Sequence, residues 1–345
     1  MRLTKLKEKL ALENLSAFIV TDMKNLFYLT GVFNLEGALF VTTERAILTT
    51  DSRYAGLVAP LSADGFEIQI TRDYFAPLRE LTGRIGFEDT LDFATYQSLS
   101  GLTENLVSTS NLMAEIRQFK EPEEIETIRK ACQITDEAFS QVLKFIRPGV
   151  EEIEVANFLD FKMRELGASG VSFETIVASG KNAAIPHATA SHKTIAYGDV
   201  VTLDFGCWLN HYASDMTRTL FVGEAPQALT EIYAVVKQAN EALSAAAKAG
   251  MSLSDYDKIP RDIITAAGYG KNFTHGIGHG VGLDIHEIPY FGTAQKGVLS
   301  ETMIVTNEPG IYLPDIGGVR IEDDLLITEN GAEVLTRSSR ELLIL

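Results

Sequence analysis

The spacing of hydrophobic positions predicts which parts of the chain form helices and which form strands. Leucines at positions 3, 6, 10, 12 and 15 recur at largely helical spacing and predict a helix over residues 3–15. Short apolar runs between polar turn residues predict strands at 17–20, 38–41 and 46–49. Helix and strand signals continue to about residue 117, so we expect a small α/β domain in the first third of the chain.

A long amphipathic helix is predicted just after this point. Pro122 suits the first turn of a helix, and the glutamates around it suit the positive end of the helix dipole. Apolar residues from Ile125 to Ile146 then recur at three- and four-residue steps, until Pro148 and the glycine after it end the pattern. A second helix is predicted over residues 151–166, where Gly167 marks its end.

The remainder of the chain predicts strands and hairpins rich in glycine, with helices returning between about residues 227 and 267. We therefore predict two domains, residues 1–118 and 119–345, in the α/β (α+β) fold class. A chain of 345 residues agrees with this division, since domains average roughly 150 residues.

Charge and cysteine content narrow the class of protein. Acidic residues outnumber basic ones 47 to 30, a net charge of −17, which argues against binding to nucleic acid or to an anionic membrane surface. The two cysteines, Cys132 and Cys207, are too few for a disulfide framework and suit a reducing compartment. The charged N-terminus and the absence of a long apolar run lead us to expect a cytoplasmic protein.

Histidine is confined to one stretch of the chain, between residues 187 and 286. A single histidine is usually a surface residue or a hydrogen-bonded core residue. Six within one stretch favour metal binding or acid–base chemistry, because histidine is the commonest metal ligand and titrates near neutral pH. The six are His187, His192, His211, His275, His279 and His286.

Two aspartates lie on the two strands of a predicted hairpin in this stretch. Asp204 ends an apolar run, and if Leu209 and Asn210 form a two-residue turn, Asp215 lies directly opposite it. Directly opposed side chains have Cβ atoms about 4.5–5.5 Å apart, where two negative charges repel unless a cation lies between them. The alternative is a slipped or twisted hairpin whose carboxylates point apart into solvent.

Two glutamates repeat this arrangement nearer the C-terminus. Glu308 follows an apolar run, and Glu322 follows the turn-forming residues 314–318, so the two could also face each other across a hairpin. Such glutamates are usually solvated strand ends, but two acidic pairs in one domain favour a shared metal site.

The glycine-rich segment from His275 to Glu287 lies between the two acidic pairs. It matches neither the dinucleotide-binding fingerprint nor His-Glu-x-x-His, and the chain has no Gly-x-Ser-x-Gly motif. Four carboxylates and one imidazole favour a hard or borderline ion such as Mn²⁺. Five ligands exceed what one tetrahedral ion needs, so the pattern favours a hydrolase with two metal ions.

At these residues the chain resembles the pita-bread metallopeptidases, in particular their aminopeptidase P and prolidase branch. The resemblance covers essentially the whole chain, and residues 22–31 resemble the signature of the family's smaller, creatinase-like N-terminal domain. It implies a C-terminal pita-bread catalytic domain. The matching motifs are Asp204–Gly206, Ser214–Thr219, His275–Glu287, Glu308–Gly310 and Gly318–Asp323.

The resemblance also implies roles for individual residues. The implied ligands of two Mn²⁺ ions, with Co²⁺ or Zn²⁺ as alternatives, are Asp204, Asp215, His279, Glu308 and Glu322, of which Asp215 and Glu322 bridge. A bridging hydroxide would be the nucleophile, and Glu308 would also carry a proton. The implied substrate-side groups are His187, His275 and His286, with Arg320 behind the ligands. His192 and His211 match no functional position and are expected at the surface.

The implied activity is that of an Xaa-Pro aminopeptidase, acting on peptides with proline at the second position, with Xaa-Pro dipeptidase as the alternative. A metal-free binding module or a creatinase-type amidinohydrolase on the same fold is disfavoured because all five ligands are present. The resemblance further suggests a homodimer whose small domain walls the active site. Thr302 and Asn307 depart from the usual pattern, which has glycine and an aliphatic residue there.

Overall fold

The computed structural model describes residues 2–345, which form two compact units, one ending at Arg117 and the other beginning at Gln118. The helices of the first unit are α1 (Arg2–Leu12), α2 (Met23–Thr30), α3 (Ala55–Val58), α4 (Phe93–Ser100) and α5 (Leu112–Arg117), with 3₁₀ turns at Ala59–Asp64 and Ala76–Arg79. Its strands are β1 (Ala17–Val20), β2 (Gly37–Thr42), β3 (Ala46–Thr50), β4 (Glu67–Ile70), β5 (Ile85–Phe87) and β6 (Leu106–Ser108).

These six strands form one mixed sheet in the order β4-β3-β2-β1-β5-β6. Strands β1, β2 and β3 pair antiparallel, whereas β4, β5 and β6 join the sheet in parallel. All four residues of β1 are buried, because the strand is central and covered on both faces. The predicted helix and the three predicted strands are confirmed: the first strand has the predicted ends, and no end of the others is shifted by more than three residues.

The second unit contains the remaining elements. Its helices are α6 (Pro122–Val142), α7 (Glu152–Glu165), α8 (Gln227–Ala246) and α9 (Leu253–Ala266), with 3₁₀ turns at Gly180–Ala184 and Gly270–Asn272. Its strands are β7 (Gly170–Val171), β8 (Ile176–Ser179), β9 (Val200–Phe205), β10 (Cys207–Leu209), β11 (Tyr212–Ala213), β12 (Met216–Phe221), β13 (His279–Gly280), β14 (Glu287–Tyr290), β15 (Ile304–Asn307), β16 (Gly310–Leu313), β17 (Gly317–Arg320), β18 (Asp323–Ile327) and β19 (Ala332–Val334).

Local sequence explains where α6 and α7 begin. In each, a glutamate precedes the helix and a second glutamate three residues later reaches back to it, so the two side chains satisfy exposed backbone N–H groups reciprocally. Helix α6 ends at Val142, four residues before the predicted Ile146. Beyond it the backbone N–H groups of Phe145 and Ile146 both donate to the carbonyl of Val142, at 2.9 and 3.1 Å, so the last turn tightens while Ile146 stays buried.

Two hydrophobic cores hold the second unit together. One core packs α6 and α7 against the central strands β9 and β12, and the other packs α8 and α9 against β15 and β18. Strand β17 contacts both β9 and β12, which brings the two predicted acidic hairpins together. Both cysteines are buried and neither forms a disulfide. Among residues 2–345, no helix combines the length and apolar character needed to cross a bilayer.

Candidate active site

The hairpin that carries the first acidic pair differs from the predicted one. Its turn is formed by Asn210 and His211, with φ of 47° and 73°, one residue later than expected. A two-residue turn of this kind needs positive φ at both central positions, which asparagine tolerates and the leucine before it does not. The resulting register pairs Asp204 with Thr217, so the predicted direct opposition to Asp215 is wrong. Both carboxylates nevertheless line the same cavity.

The second acidic pair lies where the sequence pattern predicts. The ladder between β15 and β18 ends with Asn307 paired to Asp323, and β16 and β17 continue the same register beyond it. Between the two ladders this register sets Glu308 opposite Glu322. The two glutamates therefore lie at the junction of two hairpin ladders rather than at a solvated strand end.

A buried cluster of ligand atoms lies between the two pairs. Asp215, His279 and Glu322 each place one potential ligand atom within 4.8 Å of the others. His279 Nε2 lies 3.7 Å from Asp215 Oδ2 and 3.6 Å from Glu308 Oε1. Its Nδ1 donates to the carbonyl oxygen of Gly280 at 3.1 Å, so in the neutral ring Nε2 presents a lone pair to the two carboxylates. Hydrogen-bond acceptors that face one another in this way repel, and a cation bound between them would remove the repulsion.

The charges of the cluster support the same conclusion. Burial and the neighbouring carboxylates raise the pKa of Asp215 and of Glu322 well above their ordinary values. Burial, opposed by Arg320 and assisted by Asp204, raises the pKa of Glu308 to about 8. Burial and the nearby His286 lower the pKa of His279 to about 4.

Two carboxylate oxygens of the cluster, Oδ1 of Asp204 and Oδ1 of Asp215, are buried and have no hydrogen-bond partner. An unpaired buried oxygen of this kind costs roughly 1–3 kcal/mol in the absence of a cation. Hard oxygen donors around one imidazole therefore fit the divalent cations that the sequence analysis expects.

A chain of hydrogen bonds fixes the orientation of the carboxylates from behind. Arg320 donates from Nη2 to Asp204 Oδ2 at 2.5 Å and from Nε to Thr217 Oγ1 at 3.1 Å. Thr217 in turn donates to Glu322 Oε2 at 2.6 Å. The sequence pattern does not indicate this role for Thr217, because its position opposite Asp204 follows only from the true register of the hairpin.

Tyr312 is a second residue that sequence reasoning missed. Its hydroxyl accepts a hydrogen bond from Arg320 Nη1 at 2.9 Å and lies 2.8 Å from His275 Nε2. Since His275 Nδ1 lies 2.7 Å from the carbonyl oxygen of Gly276 and must donate to it, Nε2 accepts from the tyrosine. Both nitrogens of His275 are thus engaged within the chain. Burial and Arg320 lower the pKa of this imidazole to about 4.

The other four histidines lie in different surroundings. His187 and His286 are exposed in a cavity of about 540 Å³ that also contains the acidic cluster, and the ring of His286 lies 4.3 Å from that of His279. His192 is exposed and lies outside the cavity. His211 is half-buried in the hairpin turn, and burial lowers its pKa.

The two departures from the family pattern have structural consequences close to the site. Thr302 adopts φ of 68°, a left-handed conformation that glycine enters freely and a β-branched residue rarely does. Asn307, next to Glu308, is buried and donates from Nδ2 to the carbonyl of Asn240 at 2.8 Å and to Ser244 Oγ at 2.9 Å. It therefore ties the strand that leads to Glu308 to helix α8 by hydrogen bonds, where an aliphatic residue would only pack.

Binding of Mn²⁺ to the metal-free protein is expected to release protons near pH 7. Since the raised pKa values of Asp215, Glu308 and Glu322 leave protons on the metal-free cluster, a bound ion must displace them. The apparent affinity should therefore rise between about pH 6 and pH 8. Calorimetric titration in buffers of different ionisation enthalpy measures the protons released, and a binding heat independent of the buffer would contradict the expectation.

Comparison with known protein families agrees with this geometry. Residues 126–329 match Metallopeptidase family M24, and residues 2–119 match the Creatinase/Prolidase N-terminal domain. The M24 match contains all five predicted ligands and covers more than half of the chain.

Individual relatives match over nearly their whole length. An Xaa-Pro dipeptidase from Pyrococcus furiosus is 37% identical, with 99% of each chain covered. The solved structure of an Xaa-Pro dipeptidase from Bacillus anthracis is 40% identical, with a TM-score of 0.95 and coverage of 100% of this chain and 99% of that one.

The solved structure of an X-Pro aminopeptidase from Thermotoga maritima is 31% identical, with a TM-score of 0.88 and coverage of 98% of this chain and 100% of that one. The dipeptidases and the aminopeptidase among these relatives all belong to the prolidase and aminopeptidase P branch. The chain is a member of metallopeptidase family M24, a metal-dependent peptidase whose pita-bread catalytic domain follows a creatinase/prolidase-type N-terminal domain in the sequence.

Proposed function

We propose that this protein is an Xaa-Pro dipeptidase, which hydrolyses the bond between any first residue and a C-terminal proline. The observation that carries the proposal is the similarity to Xaa-Pro dipeptidases over nearly the entire chain, at 37 and 40% identity. This choice reverses the preference for an aminopeptidase that the sequence motifs suggest. The aminopeptidase activity becomes the alternative, supported by the less similar structure at 31% identity.

The residues that would hold two divalent metal ions are the four carboxylates and the imidazole of the cluster. Asp215 and Glu322, the two ligands that the resemblance expects both ions to share, each place one ligand atom within 4.8 Å of a ligand atom of His279. When bound, the ions would lower the pKa of a water molecule and polarise the scissile carbonyl. The five proposed ligands are Asp204, Asp215, His279, Glu308 and Glu322.

Glu308 is the proposed proton carrier. The nitrogen of an Xaa-Pro bond carries no hydrogen, so the departing proline must receive a proton as the bond breaks. The carboxylate of Glu308 can accept a proton from the water that attacks the carbonyl and return it to the leaving nitrogen. Glu308 is only partly buried at the cavity wall, where it can reach the leaving nitrogen.

The remaining cavity groups bind and orient the peptide. We propose that His187 and His286, which are exposed in the cavity, donate hydrogen bonds to the oxygen of the reacting carbonyl and to the peptide. His275 contributes through its position beside Glu308, from which its Nδ1 is 3.7 Å away. Arg320 is buried and holds Asp204 in place from behind.

Hydrolysis of Ala-Pro beside Ala-Pro-Ala, each with Mn²⁺, tests the proposal. We expect release of proline from the dipeptide and no cleavage of the tripeptide. Cleavage of the tripeptide, with or without the dipeptide, would establish the aminopeptidase alternative. If neither peptide were cleaved by protein with its full metal content, the proline specificity itself would be wrong.

A further inference from the structure

One acidic side chain of the cavity is not accounted for by the metal cluster. Glu174 lies in the segment before β8, is exposed, and lines the same cavity as the proposed ligands. Among residues 2–345, its carboxylate makes no hydrogen bond and no ion pair. Every other carboxylate lining the cavity belongs to the proposed ligand set.

No cationic side chain that lines the cavity pairs with the negative charge of Glu174. Arg320 is the only arginine or lysine among the residues that line the cavity, and it is buried against Asp204 at 2.5 Å. Metal ions bound by the cluster would neutralise the other four carboxylates. The charge of Glu174 then faces the cavity without a partner from the chain.

Glu174 lies two residues before a strand whose register places it beside the cluster. Ile176, the first residue of β8, pairs with Asp204 of β9, and Glu174 precedes it by two residues. Because two residues of chain span at most about 7 Å, Glu174 lies within roughly 7 Å of the residue beside Asp204 along the chain. A side chain of the substrate residue next to the cluster can span such a distance.

Apolar side chains line the cavity together with Glu174. Phe173 precedes the glutamate, Ile176 follows it by two residues, and Tyr290 and Phe291 also line the cavity. An apolar wall that ends in a carboxylate suits a side chain with an aliphatic stem and a cationic end. Lysine and arginine have this form, since their methylene groups lie along apolar surface while the charged group reaches the carboxylate.

We propose that Glu174 is a specificity-determining residue, which favours substrates with lysine or arginine at the position before proline. The proposal rests on the proposed function, since it concerns the first residue of an Xaa-Pro substrate. The same charge disfavours aspartate and glutamate at that position, because like charges near one another repel.

The test compares Lys-Pro with Nε-acetyl-Lys-Pro, which has nearly the same length and no charge, and with Leu-Pro and Glu-Pro. At low salt we expect kcat/KM for Lys-Pro to exceed that for the acetylated peptide by about three- to fivefold, the effect of one exposed ion pair. Glu174→Gln should abolish this ratio and leave Leu-Pro within about twofold. Glu174→Lys should favour Glu-Pro instead, and Glu174→Asp should retain part of the preference for Lys-Pro.

Two controls separate the ion pair from other effects. Glu224→Gln removes an exposed glutamate of the same unit that does not line the cavity, and should change none of the ratios. Salt at about 1 M, where the screening length is about 3 Å, should reduce the Lys-Pro preference of the unmodified protein.

The outcomes are distinguishable from failure of the proposed function. If Leu-Pro is cleaved but Lys-Pro and its acetylated form react alike, the role of Glu174 is overturned and the proposed function stands. An equal loss with all four dipeptides in Glu174→Gln would place the carboxylate against the α-ammonium group and would also overturn the specificity. Absence of cleavage of every dipeptide by metal-loaded protein would overturn both.

Discussion

Replacing Glu308 by glutamine is expected to lower kcat for Ala-Pro by about a hundred- to ten-thousandfold, the usual contribution of a positioned acid–base group. Glutamine has nearly the same shape and retains a carbonyl oxygen, but it cannot carry a proton. Its position at the wall of the cavity, beside the other proposed ligands, is what suits the glutamate to this task. The loss should appear in kcat rather than in KM, because the proton moves only as the bond breaks.

The metal content of the same samples decides between two causes of the loss. If Glu308→Gln keeps both Mn²⁺ ions and its kcat falls, the fall in kcat is caused by the loss of proton transfer. If the variant loses metal, Glu308 acts chiefly as a metal ligand. Glu301→Gln is the matched control, because Glu301 is exposed, lies seven residues earlier and does not line the cavity. A kcat within tenfold of the unmodified protein, at full metal content, would show that Glu308 does not carry the proton.

Replacing Asp215 by asparagine is expected to raise the stability of the metal-free protein and to remove its stabilisation by metal. Asp215 is buried beside Glu322 and Asp204, its Oδ1 has no partner, and its pKa is raised well above the ordinary value. Relief of this unfavourable group should add about 1–3 kcal/mol to the free energy of unfolding, or a few degrees of Tm. The same change removes one proposed bridging ligand, so activity should be lost.

The stability of the metal-free protein is expected to fall as the pH rises, because of Asp215. Because the pKa of Asp215 is raised in the folded state, the folded protein holds a proton that the unfolded chain has released. The proton bound to Asp215 therefore stabilises the folded state fully at about pH 4 and below, and this stabilisation is lost as the pH rises through the pKa of Asp215 in the folded protein. Metal-free Asp215→Asn should lose less stability over this range than the unmodified protein does.

Thermal unfolding with and without Mn²⁺ measures both effects. Ion at about a hundred times its Kd should stabilise the unmodified protein by about 2.7 kcal/mol and the variant by much less. Asp315→Asn serves as the control, because Asp315 is exposed and adopts φ of 65°, a conformation that asparagine tolerates. A metal-free variant less stable than the unmodified protein would contradict the electrostatic account of the site.

The ligand types and much of the fold were predictable because they depend on local patterns. An apolar run that ends in an acidic residue marks a strand end, whatever the rest of the chain does. The turn at residues 314–318 is short, so the opposition of Glu308 and Glu322 followed from counting residues back from the turn on each side. Helix starts were equally local, since each depends on a proline or glutamate within its own first turn.

The first hairpin shows where local counting stops working. Its turn lies one residue later than predicted, because the turn needs two residues that accept positive φ. As a result Thr217, and not Asp215, lies opposite Asp204. Thr217 then becomes the hydrogen-bonded link between Arg320 and Glu322, a role that its own sequence context does not indicate. Tyr312 likewise meets His275 only because two segments 37 residues apart fold against each other.

The sequence by itself therefore determined the two acidic pairs, the histidine-rich segment between them, the order of helices and strands, and the family. The tertiary structure decided the protonation of the cluster, the lone pair that His279 directs towards it, and the position of Glu174 in the cavity. The physical reason is that residue type and period are properties of a short segment. A pKa or a hydrogen bond instead depends on burial and on the distances between segments far apart in the chain.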